Sequence, residues 1–348
     1  MKADVTLKTL VVAMALIIAV CGCKKDDAPA AGEGSDAAPV KAIKLSYANF
    51  PPAPTFPCVQ MERWKDEVEK RTGGAVEINT YPGGSLLEAK DMMDGVISGQ
   101  ADIGCLCMAY QPGRFVVTNA LSLPLGIEDA ATGSKALLKL YQQFEPEEFA
   151  DVKVLAMFTT APSNIMSKKP VRTAADMKGV NLRASGGAAR ILEAWGANQV
   201  GMPMSETPEA LQKGVVEGLF SSLEVMKDFK YADICKYVTM TDTVVYPFAV
   251  VMNRQKWQSL PEDVKAVMED MIEEQSLWTG EYMDEHVNES MEYSTGEQGV
   301  EVIELSAQDK AELDAMLAPM VVEWIQQNSA EIDTQAIITA IKEYISSE

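Results

Sequence analysis

Residues 41–110 contain "KAIKLSYANF" (41–50), "CVQMERWKDEVEKRTGG" (58–74), "AVEINTY" (75–81), "SLLEAKDMMDGVISGQ" (85–100) and "ADIGCLCMAY" (101–110). The first segment alternates apolar and polar residues and reads as a strand, broken by "PPAPTFP". In the second, apolar residues recur at helical spacing up to a Gly-Gly stop. The third reads as a strand with "PGGS" as its turn, the fourth as an amphipathic helix, and the fifth as a strand. Strand–helix–strand–helix–strand with short connections is the pattern of a wound α/β sheet. Ligands of such sheets bind beyond the carboxyl ends of strands, where Asn49–Pro52 and Met108–Gln111 fall.

The alternation continues outward. "DVKVLAMFTT" (151–160) and "IMSKKPV" (165–171) read as strands, and Thr173 caps a short helix. "VNLRAS" (180–185) is a strand that runs through a Ser-Gly-Gly turn into the helix "GGAARILEAWG" (186–196). "MSETPEALQKGV" is a helix and "VEGLFSS" a strand, while "TDTVVYPFAVVMN" (241–253) is a β-rich run that could serve more than one sheet. In "SLPEDV", Ser259 and Glu262 have capping-box spacing, and helical character then runs to about Tyr293. A helix of that length could span two lobes. "VEVIEL" is a further strand, Ser306 caps another helix, and Ser329 marks a break before a last one.

A length of 348 residues fits about two domains. With 51 acidic against 30 basic residues, the net charge is −21, which repels nucleic acid and anionic lipid at long range. An anion site here must be local and built from specific donors. No G-x-S-x-G elbow, P-loop or dinucleotide fingerprint is present, so catalysis has no positive support and no cofactor is expected. The single histidine, His286, lies among Glu281, Asp284, Glu285 and Glu289 and reads as a solvated helix residue. With one histidine a metal site is not expected. Cys58, Cys105, Cys107 and Cys235 read as buried free thiols, although export would permit disulfides.

Lys2 and Lys8 precede the apolar run "TLVVAMALIIAV", followed by "CGCKKDD": an export signal over residues 1–22, too short for a comfortable membrane span. "VCGC" resembles a bacterial lipobox, which implies cleavage before Cys23 and lipid on its thiol; plain secretion with a spare thiol is the alternative. Residues 23–40 form a small, polar tether. The expected location is the periplasm, with a lipid anchor to a membrane.

Arg183 ends the 180–185 strand just before the Ser-Gly-Gly turn. An arginine fork matches a carboxylate in bidentate geometry, and a helix start favours an anion. An edge-strand arginine paired with a surface glutamate would also explain it. "RTGGAVEINTYPGGSL", "DGVISGQADIG", "SKKPVRTAADMKGVNLR", "ALQKGVVEG" and "LPEDVKAVM" recur in the order and spacing of a known family. The chain resembles the solute-binding subunits of tripartite ATP-independent periplasmic (TRAP) transporters, of the DctP type. The resemblance implies a two-lobed α/β periplasmic solute-binding fold, with a ligand cleft between the lobes and a long helix spanning both. Lobe I would take 41–160 plus 250–280, and lobe II 161–249 plus 281–348.

The resemblance also implies that Arg183 clamps the carboxylate of an organic acid, and that the partners are TRAP permease subunits. A monomer is expected. Sialic-acid and dicarboxylate binders carry a second arginine where Pro162 stands, an aromatic residue where Met204 stands, and an asparagine where Ser221 stands. One clamp favours a monocarboxylate such as a 2-oxo, hydroxy or aromatic acid, held by Arg183 with Phe50, Tyr110, Thr160, Met204, Phe220 and Ser221. The alternatives are a C4-dicarboxylate or sugar acid in the same fold, a subunit presenting its ligand to a membrane sensor, or an exported hydrolase.

Overall fold

The computed structural model describes residues 42–346. The expected leader, Cys23 and the 23–40 tether lie outside the described residues. The strands are β1 (Ile43–Asn49), β2 (Val76–Tyr81), β3 (Ile103–Cys107), β4 (Val152–Thr159), β5 (Asn164–Ser167), β6 (Asn181–Ala184), β7 (Asn198–Gly201), β8 (Gly218–Ser221), β9 (Tyr237–Met240), β10 (Pro247–Asn253) and β11 (Glu301–Glu304). The helices are α1 (Phe56–Arg71), α2 (Met92–Ile97), α3 (Ala130–Phe144), α4 (Gly187–Ala194), α5 (Thr207–Lys213), α6 (Val225–Asp228), α7 (Arg254–Ser259), α8 (Glu262–Glu292), α9 (Ala307–Leu317), α10 (Pro319–Asn328) and α11 (Thr334–Ser346).

Two sheets result, in the orders β2-β1-β3-β10-β4 and β11-β9-β5-β8-β6-β7. β10 is the strand that makes the first sheet discontinuous in sequence. It arrives after the whole second sheet except β11 and inserts antiparallel between β3 and β4. Its run PFAVVM is buried throughout, as a central strand covered on both faces requires, and Pro247 takes the first position, where a missing N–H is tolerated. The 241–253 run therefore serves as a connector up to Tyr246 and as a strand beyond it.

The chain crosses between the sheets at 160–163 and returns at 241–246, and the two crossings pair. Thr160 donates to the Tyr246 carbonyl at 3.0 Å and Ser163 to that of Val244 at 2.8 Å. Asn164 Oδ1 accepts from the backbone of Thr241 and Asp242 at 2.6 and 3.0 Å. These bonds hold the chain where Asp242 adopts a φ of 42°.

α8 is the element that ties the lobes together. Its 31 residues span about 46 Å at 1.5 Å per residue. Its first part packs on α1, α3 and β4, and its end packs on α6. Contact with α3 is close: a Cβ on Gly280 would meet the Ala130 carbonyl at 2.8 Å. The Asp284 carboxylate accepts from Ala130 and Ala131 at 2.8 and 2.9 Å, satisfying backbone donors that α3 cannot pair internally.

Four expectations change. The helix over 85–100 shrinks to Met92–Ile97, because Gly83 and Gly84 donate to the carbonyls of Pro51 and Asn49 and Leu87 folds back over Gly95. Ser259 closes α7 through a bond to the Lys256 carbonyl, so Pro261, not a capping box, precedes α8. His286 is buried, not solvated, because α6 supplies Asp228 as its partner. Finally, α11 packs on α3, on the first sheet's side, although the sequence division places 281–348 in the second lobe. α9 stays with the second sheet, where Trp195 Nε1 donates to the Leu313 carbonyl at 3.2 Å.

Candidate ligand-binding site

Arg183 sits on β6, with parallel β8 and β7 on either side. Its residue is 1% exposed. At the carboxyl end of the strand, Gly186 turns the chain into α4 with φ 56° and ψ −136°, a conformation closed to other residues. A Cβ there would lie 2.8 Å from the Cβ of Ala109, so the second lobe's turn presses directly on the end of β3 in the first.

The guanidinium is held by neutral partners. Nε donates to the Met202 carbonyl at 2.9 Å, and Nη2 to Ser185 Oγ at 3.0 Å and to the Tyr110 hydroxyl at 3.3 Å. Among the described residues no carboxylate forms a salt bridge with it. Tyr110 also accepts from the backbone N–H of Met204 at 3.1 Å, so one phenol links the first lobe to two segments of the second. Burial pushes the Tyr110 hydroxyl up to about 12, against the pull of Arg183, so it stays protonated. With Arg183 and Met204 donating to its oxygen, its own proton is free for a ligand.

These groups open onto a cavity with an empty volume of about 440 Å³, including space open to solvent. Phe50, Tyr110, Thr160, Arg183, Met204 and Ser221 line it. Phe220 does not: alternation along β8 turns its ring away onto Trp195, at 5.4 Å between centroids, while its neighbour Ser221 faces the cavity. Thr160 Oγ1 accepts from the Tyr246 N–H at 3.0 Å and so fixes the start of the crossing. Phe50 meets Tyr110 edge-on at 5.4 Å and stacks with Phe248 at 6.3 Å, which makes one wall aromatic.

Sequence reasoning missed Phe56, Tyr246, Phe248, Glu224 and Asp228 on the lining. The two aromatics of the 241–253 run enter only because β10 crosses back into the first sheet. Phe56 lay within a stretch that read as a strand breaker. Glu224 and Asp228 stand four apart in "SSLEVMKDF", and two acids in an otherwise buried stretch were the available signal.

Those acids are a second polar group on the lining. Asp228 Oδ1 pairs with His286 Nε2 at 2.7 Å, and its Oδ2 accepts from the Phe56 N–H at 3.2 Å. The bond from Asp228 holds His286 above its ordinary range, against the effect of burial. Glu224 Oε2 accepts a short bond from Ser222 Oγ. Burial pushes Glu224 up to about 7, with Ser222 opposing and Asp228 reinforcing the rise.

Two α/β lobes joined by paired crossings, closing on a cavity with a buried unpaired cation, define a solute-binding protein of the periplasmic kind. The chain belongs to the DctP family, bacterial extracellular solute-binding protein family 7, which matches residues 51–328. Family 7 proteins are periplasmic solute-binding components of transport systems, not enzymes. A TRAP periplasmic solute-binding protein from Desulfovibrio salexigens is 52% identical, with TM-score 0.78 over 87% of this chain and 95% of that one. It was solved as an open complex with the C-terminus of a symmetry mate in its ligand-binding site. A marine metagenome TRAP protein specific for aromatic acids, in complex with 3-hydroxybenzoate, is 28% identical, with TM-score 0.84 over 88% and 98% of the two chains. The C4-dicarboxylate-binding periplasmic protein DctP of Rhodobacter capsulatus is 25% identical over 299 residues, 83% of this chain and 88% of that protein. Among the described residues, no helix is long and apolar enough to cross a membrane.

Proposed function

We propose that the protein captures a small monocarboxylate between its lobes, with Arg183 clamping the carboxylate, and delivers it to TRAP permease subunits. Lipid on Cys23 would hold it at the membrane, and a monomer suffices for the task. The observation that carries this reading is the fully buried guanidinium with no carboxylate partner. Burying an unpaired charge costs several kcal/mol. With the lobes apart, water solvates Arg183; on closure without an anion that solvation is lost. A bound carboxylate offsets the loss, so the ligand favours the closed state through differential affinity. The paired crossings at 160–163 and 241–246 are the hinge of this motion.

Relatives support the class of ligand. The 52% identical protein holds a polypeptide C-terminus, which ends in a carboxylate, in its site. The aromatic-acid binder holds 3-hydroxybenzoate. A second carboxylate would have only Arg183 to share, and Glu224 and Asp228 stand on the same lining.

A thermal-shift screen of the mature chain against monocarboxylates, dicarboxylates, sugar acids and neutral analogues tests the proposal. A ligand selective for the native state raises the melting temperature by mass action. Monocarboxylates are expected to stabilise the wild type and to leave Arg183→Ala unmoved. Stabilisation by dicarboxylates alone would overturn the single-clamp reading, and an equal shift in Arg183→Ala would overturn the clamp itself.

A further inference from the structure

The cavity lining carries two chemically different polar groups, Arg183 and the Glu224–Asp228 pair, and only the first accounts for a carboxylate. Arg183 is bonded to Met202, Ser185 and Tyr110 and forms no salt bridge with the acids of the lining. Glu224 in turn is bonded to Ser222 and stands beside the Asp228–His286 pair. The rings of Phe50, Phe56 and Phe248 line the same cavity. Asp228 has both oxygens engaged, one by His286 and one by the Phe56 N–H. Glu224 has Oε2 on Ser222 and stands on the cavity wall, where its carboxyl can meet a ligand.

We infer that Glu224 is a specificity residue and that the ligand is a carboxylic acid carrying a hydroxyl at the end remote from its carboxylate. This rests on the reading of Arg183 as the clamp. A buried carboxyl is costly, and the described residues give Glu224 no salt bridge, only the Ser222 hydroxyl and its own backbone N–H. A ligand hydroxyl supplies a further bond. It donates to ionised Glu224 and accepts from the protonated form, so it serves either state of a group that titrates near neutrality. An ammonium serves only the ionised state. The Asp228 charge is already met by His286, so the pair orients Glu224 without calling for a cation. A second carboxylate beside these acids would face Glu224 and the Asp228 oxygens, and it would be rejected.

Calorimetric titration with matched probes decides this. The aliphatic set is butanoate, 4-hydroxybutanoate, 4-aminobutanoate and succinate. The ring set is benzoate, 3-hydroxybenzoate, 3-aminobenzoate and isophthalate. The wild type is expected to prefer the hydroxy acid over its parent by about tenfold or more in at least one set, as befits a bond to a charged or acidic group. Glu224→Leu should bring that preference within about twofold, read as the ratio of the two affinities in the same variant. Glu224→Gln keeps the shape and polarity of the side chain, guards against a folding defect, and should lower the preference to an intermediate value. A hydroxyl preference unchanged in both variants overturns the assignment of Glu224. Equal binding of hydroxy and parent acids, or tighter binding of the amino acid or the diacid, overturns the ligand class and leaves the Arg183 clamp standing. Failure of every acid to bind the wild type overturns the clamp and this inference together.

Discussion

Glu224 gives the molecule a stability that depends on pH. Its folded value near 7 lies above the 4.5 of the free side chain, because burial disfavours the charge. The unfolded chain therefore ionises first. The penalty is absent well below pH 4.5, grows between 4.5 and 7, and is complete above 7. A rise of this size corresponds to at most about 3 kcal/mol. His286 acts in the same direction at higher pH. Its folded pKa is raised, so the stability it gains from Asp228 is full below the unfolded value near 6.5 and is lost as pH climbs through the folded value. Glu224→Gln is expected to flatten the decline between pH 4.5 and 7 and to leave the loss above it, measured by denaturant titration across pH in the ligand-free protein. An unchanged profile would show that Glu224 does not titrate on unfolding.

At the scale of elements, closure depends on how near two turns can come. Gly186 starts α4 from a backbone conformation that side chains avoid, and it meets Ala109 at the end of β3. Gly186→Ala would strain the turn and push the lobes apart. The expected result is a loss of ligand affinity of about tenfold or more, with a smaller change in the melting temperature of the ligand-free protein. Calorimetry beside a ligand-free melt separates the two effects; equal affinity in the variant would show that the lobes close without this contact.

The strands of the first sheet were legible, because alternation in 43–49 and 76–81 reports one buried face directly. The α8 span was legible too, to within a residue of its end. Its buried face was not: Gln275, Ser276, Thr279, Gly280 and His286 are buried there, and each is polar or small. They are inside because α1, α3 and α6 supply hydrogen bonds or demand close approach, as Gln60 does for Gln275 at 3.1 Å. The helix expected over 85–100 failed for a related reason. The bonds of Gly83 and Gly84 to Pro51 and Asn49 just before it, and Leu87 folded over Gly95, keep its first part out of the helix.

At the scale of the whole molecule, the site is assembled by the connectivity. Arg183 stood out in the sequence because its chemistry is unusual for a short strand end. Phe248 and Tyr246 did not, since an apolar β run looks the same whichever sheet receives it. Sequence reading therefore reached Arg183 and Phe50, Tyr110, Thr160, Met204 and Ser221 on the cavity lining, and it missed Phe56, Tyr246, Phe248, Glu224 and Asp228. The last four depend on β10 returning to the first sheet and on α6 docking against α8. Tyr110 of one lobe bonds Arg183 and the Met204 backbone of the other, and in the proposed function the affinity rests on that junction.

The most direct test of the central claim is a calorimetric titration of the best-binding monocarboxylate and of its uncharged amide, in wild type and Arg183→Ala. Loss of one partner of a buried charge pair typically costs about 2–5 kcal/mol, or roughly tens to thousands of fold in affinity. The account predicts that losing either charge, by amide or by variant, weakens binding to that extent, and that the variant no longer distinguishes acid from amide. Binding of the acid by Arg183→Ala at wild-type affinity, or of the amide by the wild type as tightly as the acid, would contradict it.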